Sequence, residues 1–187
     1  MKNILKNRWA LSTVVTTLII LVVSVLLAGV VTYFAINVTS TRVQEENLSL
    51  TKQHVWVEED GTAVAAIMIT NTGGRDVVLG KIACRGQAAD MPTQVWYVIA
   101  DASDDLTVDL NYTAGTTISA SAIFGGLAGA PAQPTSNSLV LTSGSTMVVY
   151  ITSPDSVNVN DIGLTLALTV FTSQAIHYKE TNVEAAL

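Results

Sequence analysis

The chain has 187 residues, enough for one ordinary domain and an appendage, and its nine basic against fifteen acidic residues leave a net charge of −6. That balance argues against a general nucleic-acid binder, and the single cysteine, Cys84, excludes an intramolecular disulfide. Apolar residues make up 49% and charged residues only 13%, against a usual ~25%, which points to a membrane-seeking segment carrying a head poor in charge.

Residues 1–10 form a short positive leader containing Lys2, Lys6 and Arg8. From Trp9 through Thr41 no residue is charged, and residues 11–36 are almost all apolar or small, without proline. This predicts a helix long enough for a bilayer, whose core needs ~20 residues. The run exceeds the 7–15-residue apolar region of a cleaved secretory signal. The basic residues lie N-terminal to it, so that end is expected in the cytoplasm and the remainder outside. Residues 37–50 are polar but lack glycine and proline, so the helix is expected to continue, giving a hydrophobic helix at 11–52 about 60 Å long. One face carries Thr17, Leu21, Ser24, Ala28, Thr32, Ala35 and Thr39 at spacings of three and four. Small residues on one stripe allow close helix–helix approach where no water drives association.

From residue 53 the period changes to two, and a head at 53–187 is expected. Strands are predicted at 54–59, 62–70, 76–85, 93–100, 106–112, 139–142, 146–151, 164–172 and 175–183. Asp60-Gly61 and Asn71-Thr72-Gly73-Gly74 mark two of the turns. The stretch 62–70 is apolar on both faces. Short strands in this number, with turns between them, predict an antiparallel β-sandwich, so the fold class is α+β. Residues 113–138 break this pattern, being rich in Gly, Ala, Ser, Thr and Pro. They also carry Ile118, Ile123, Phe124 and Leu127, which a solvated loop does not favour, so these four are candidate subunit contacts.

Catalytic chemistry is sparse. His54 and His177 fall in predicted strands with no cysteine or carboxylate at metal-ligand spacing, and read as surface residues. No nucleophile elbow, phosphate loop or dinucleotide fingerprint occurs. Cys84 lies on the apolar face of its strand and reads as inert core. Asp101, Ser103 and Asp105 match the alternate-residue start of a calcium loop. Leu106 and Tyr112 stand where that loop needs its glycine and closing glutamate, so a solvated acidic loop is the better reading. No catalytic residue, cofactor or metal is expected. Asn37, Asn47 and Asn111 head Asn-x-Ser/Thr sequons and are N-glycosylation candidates on an exported chain; Asn37 and Asn47 lie on the expected helix.

The leader and helix resemble those of the archaeal type IV pilin and archaellin superfamily, through Arg8-Trp9-Ala10 followed by Leu11-Ser12-Thr13-Val14-Val15. The head phrases Ile69-Thr70-Asn71-Thr72-Gly73-Gly74, Asp76-Val77-Val78-Leu79 and Asp161-Ile162-Gly163-Leu164 resemble it more weakly. Trp9 departs from the basic residue often found there. The fifth residue after the cut, Val15, stands where bacterial type IV pilins carry glutamate, which favours the archaeal branch. The resemblance implies a class III signal peptide, cut between Ala10 and Leu11 by a prepilin-type signal peptidase, and an immunoglobulin-like β-sandwich head. It implies a structural subunit rather than an enzyme: a cell-surface pilus protein that polymerises with itself through its helix, with roles in adhesion. Its partners would be the pilus assembly machinery and, before assembly, the membrane, with the head outside; no nucleic acid is expected. An archaellin of a swimming filament and a monomeric signal-anchored surface protein are the alternatives.

Overall fold

A computed structural model describes residues 8–43, 45–101, 103–115, 118 and 129–186. The chain divides into two units, Met1–Val43 and Gln44–Leu187. The first contains helix α1 (Arg8–Val43), 36 residues and therefore about 54 Å long. Every described side chain from Ser12 to Thr41 is exposed, and no face of the helix is set apart as polar. A helix apolar all round needs an apolar surrounding, either lipid or other helices.

The helix ends earlier than its composition suggests. Leu48–Val57 already form strand β1, with Leu48 and Leu50 buried and Ser49 exposed between them. Leu48 and Leu50 are also compatible with a helix, because no glycine or proline between Asn37 and Leu50 breaks one. Burial in the head's core decides the matter in favour of a strand. The remaining elements are β2 (Ala63–Asn71), β3 (Val77–Cys84), β4 (Gln87–Ala88), the short helix α2 (Met91–Gln94), β5 (Val95–Ile99), β6 (Leu139–Leu141), β7 (Thr146–Thr152), β8 (Thr165–Thr172) and β9 (Ile176–Ala185).

The strands form one curled sheet in the order β4-β3-β8-β9-β1-β2-β7-β5, with β6 also on β3. All pairings are antiparallel except β1 with β9, where Val55–Val57 lie alongside Val183–Ala185. That parallel pair joins what would otherwise be two separate sheets, so the head is a connected, curled sheet rather than two independent leaves. The β1–β2 hairpin turns at Asp60-Gly61 as expected. Gly61 takes φ +91°, and the Asp60 carboxylate accepts the Thr62 N–H at 2.7 Å. A bulge between Thr51 and His54 interrupts the β1 register, with Lys52 at φ +51°.

Two apolar clusters flank strands β1, β2, β7 and β5. The central cluster lies inside the curl and includes Val55, Ile67, Leu79, Ile82, Ile151 and Leu168. The second lies on the opposite face and includes Trp56, Met68, Val98, Val148 and Tyr150. Leu110 and Ile118 belong to this second cluster, with Leu106 and Tyr112 packed against it, so residues 106–112 and Ile118 lie over the outer face of β2 and β7. This explains why β2 is apolar on both faces: it is covered on both. Residues 106–112, expected as a strand, are irregular for the same reason, because they cap a face instead of extending an edge. Tyr150, fully buried, fastens this cover by donating its hydroxyl to the Asn111 carbonyl at 2.8 Å.

Candidate functional site

The residues singled out for processing and helix packing all lie on α1. Ala10 and Leu11 fall in its first turn, since the helix begins at Arg8. Thr17, Leu21, Ser24, Ala28, Thr32, Ala35 and Thr39 are all exposed. Three of the stripe's hydroxyls are turned onto the helix's own carbonyls: Thr17 onto Val14 at 2.9 Å, Ser24 onto Ile20 at 2.7 Å and Thr32 onto Ala28 at 2.8 Å. Off the stripe, Thr16 does the same to Ser12 and Thr41 to Asn37, each at 2.9 Å. Back-bonding of this kind leaves little polar demand on the surroundings. A hydroxyl that is already satisfied costs little in hydrocarbon and requires no donor from a neighbouring helix. The stripe is therefore small in shape and nearly apolar in chemistry, which suits it equally to lipid and to a bundle of like helices. Among the described residues one helical stretch, Ser12–Thr41, is long and apolar enough to cross a membrane; at about 45 Å it outruns a ~30 Å hydrocarbon core.

In the head, Asn111 is exposed in the loop held by Tyr150. Asn37 is exposed on α1. Asn47 is also exposed, but it stands between α1 and β1 rather than on the helix. Ile118 is 3% exposed within its own head's second cluster, so this subunit itself covers it. Ile123, Phe124 and Leu127, the other three candidate contacts, lie outside the described residues.

The acidic loop is held by hydrogen bonds of its own and by a lysine from β1. The Asp104 carboxylate accepts the Asp101 N–H at 2.7 Å, and Asp105 accepts both the N–H and the hydroxyl of Thr107 at 2.9 and 2.6 Å. Those Thr107 bonds hold Asp105 below the usual carboxylate range. The Lys52 ammonium, projecting from the β1 bulge, donates to the carbonyls of Leu106 and Val108. No group of three His, Cys, Asp or Glu side chains among the described residues is placed to hold a metal.

The Asn71-Thr72-Gly73-Gly74 phrase is a bracket for the segment leading into β1. Asn71 is completely buried; its amide donates to the carbonyls of Arg75 at 2.8 Å and Leu141 at 3.1 Å, and its Oδ1 accepts Gly73 N–H at 3.0 Å. Thr72 and Gly73 donate their N–H groups to the Asn47 carbonyl at 2.9 and 3.1 Å. Asp161, the first residue of the Asp161-Ile162-Gly163 phrase, ends a 3-10 turn (Val159–Asp161) closed by a reciprocal cap with Asn158. The Asn158 N–H and then the Arg85 guanidinium, 2.8 Å away, hold Asp161 below the usual carboxylate range. Both phrases thus have structural work in this head. The sequence reading missed the roles of Asn71 and Lys52 because each depends on partners distant in the chain.

No protein-family model matches the chain, and no curated protein matches it. The architecture of an N-terminal apolar helix followed by a sheet-rich domain is compatible with that of pilins.

Proposed function

We propose that this protein is the structural subunit of an extracellular archaeal type IV pilus, made as a membrane precursor with its head outside. The observation that carries the reading is α1: uncharged from Trp9 to Thr41, exposed from Ser12 to Thr41, longer than a bilayer requires, and internally satisfied at three of its stripe hydroxyls. A simple anchor does not need that excess length. A helix that must leave lipid and enter a bundle benefits from it, because both surroundings are apolar and the transfer has little hydrophobic cost. Repetition of one head-to-tail contact does not close and so builds a helical filament.

In this reading the leader is removed between Ala10 and Leu11 by a prepilin-type signal peptidase. The heads, read as immunoglobulin-like sandwiches curled over the central cluster, form the outer sheath. Exposed Asn111 is the best placed of the three sequons for a glycan, and adhesion would belong to the sheath. No part of this role calls for a catalytic residue or a cofactor. The test is the N-terminal residue of the mature protein together with negative-stain images of sheared cell-surface material. Leu11 at the N-terminus of a filament subunit supports the reading. Met1 on an isolated membrane protein, with no filaments, overturns it in favour of a plain anchor.

A further inference from the structure

The three Asn-x-Ser/Thr sequons differ at their third residues. Thr39, on α1, and Ser49, on β1, are exposed. Thr113, which completes Asn111-Tyr112-Thr113, has its Oγ1 buried and, among the described residues, without a hydrogen-bond partner. The residues before it are fastened as well. Leu110 is buried in the second apolar cluster, and the Asn111 carbonyl accepts the Tyr150 hydroxyl. The Tyr112 ring packs edge-on against Trp56, with centroids 6.0 Å apart, and its hydroxyl donates to Glu58. Within this sequon only Asn111 is exposed.

A hydroxyl that gives up water and gains no partner weakens a fold, and valine offers the same shape without the oxygen. No hydrogen bond of the described head uses the Thr113 oxygen. N-glycosylation does use a hydroxyl at this position, because its transferase recognises Ser or Thr two residues after the acceptor asparagine. An oxygen enclosed by the head cannot enter the transferase's own site.

We propose that Asn111 is an N-glycan acceptor open only before the head folds: the sugar is attached to the unfolded, exported chain, and folding then buries the hydroxyl by which the sequon was read. This rests on the reading above that the head lies outside the membrane, and not on filament formation. In the transfer, the Asn111 side-chain nitrogen attacks the anomeric carbon of an oligosaccharide carried on a lipid phosphate. A carbon–nitrogen bond forms and the carbon–oxygen bond to phosphate breaks. The lipid phosphate leaves with the bonding pair, and the nitrogen gives up one proton. Because the Asn111 side chain is exposed, the finished glycan stands in solvent and opposes neither the Tyr150 bond nor burial of Thr113.

The experiment compares full-length wild type, Thr113→Val and Thr113→Ser, with Asn111 occupancy read by mass spectrometry on protein from the producing cells. Wild type and Thr113→Ser carry the glycan; Thr113→Val does not. Made in a host without the transferase, Thr113→Val unfolds a few degrees above the equally bare wild type, because the unpaired oxygen is gone. Bare wild type in detergent micelles is then offered to membranes of the producing cells, which hold transferase and lipid-linked oligosaccharide. Added folded, it stays bare; added by dilution from urea, it gains several-fold more glycan. Wild type that is bare at Asn111 in its own cells overturns the site. Equal modification of the folded and diluted chains overturns the order. A Thr113→Val midpoint below that of wild type shows that the fold uses the oxygen, and overturns the proposal as well. Filaments with bare Asn111 leave the pilus reading standing without this one, and a glycosylated chain that builds no filaments does the reverse.

Discussion

At Gly73 an added methyl group would meet backbone on two sides. A Cβ there would lie 2.8 Å from both the Asn47 nitrogen and the Glu45 carbonyl oxygen, backbone atoms that have no rotamer to escape into. Gly73→Ala should therefore push the segment before β1 away from the turn and cost about 1–3 kcal/mol. The check is a lowered unfolding midpoint with faster exchange at residues 45–47. An unchanged midpoint would mean that the segment is not held where the Asn47 bonds place it. Cys84 behaves in the opposite way, as a residue that should do nothing. Burial pushes its thiol up to about 11, and only 1% of its surface is exposed. At pH 8 about one thiol in a thousand would be ionised. A disulfide reagent should therefore leave native protein unmodified and react fully only after denaturation.

Among the elements, α1 carries the assembly reading and β2 carries the head. The Ala28 side chain is exposed, and its carbonyl already accepts the Thr32 hydroxyl. Ala28→Leu should accordingly leave the helix and head of an isolated subunit intact. Any damage must come from neighbouring helices held apart, about 1–3 kcal/mol at each repeated contact. The expected result is fewer or shorter filaments in electron micrographs, with an unchanged circular dichroism spectrum. Filaments of wild-type length and number would show that this stripe does not pack closely. β2 was readable as a strand from its residues, and its two apolar faces already implied cover on both sides. What the sequence did not specify was that one cover would come from the irregular residues 106–112 and from Ile118, because Leu110 and Ile118 meet Tyr150 and Trp56 only after the chain has folded back.

At the scale of the whole molecule, the leader and the head make separate demands. The Ala10–Leu11 bond lies in the first helical turn, whose N–H groups lack intrahelical partners, so opening it for a peptidase is inexpensive. Arg8→Glu and Ala10→Asp should block processing and leave full-length precursor in the membrane, with the head folded as before. Immunoblots of membrane and sheared fractions read this directly, and normal filaments from both variants would exclude the assigned cut. The helix, its uncharged run, the Asp60-Gly61 hairpin and most strands were determined by the sequence alone, because periodicity, charge and turn chemistry are local signals. The end of α1 at Val43, the irregular path of 106–112, the parallel β1–β9 seam and the Asp109 and Glu46 carboxylates facing His54 and His177 were decided only by the tertiary structure. Each of these depends on which distant surfaces are available to bury a leucine, cap a sheet face or face a charge, and no window of neighbouring residues contains that information.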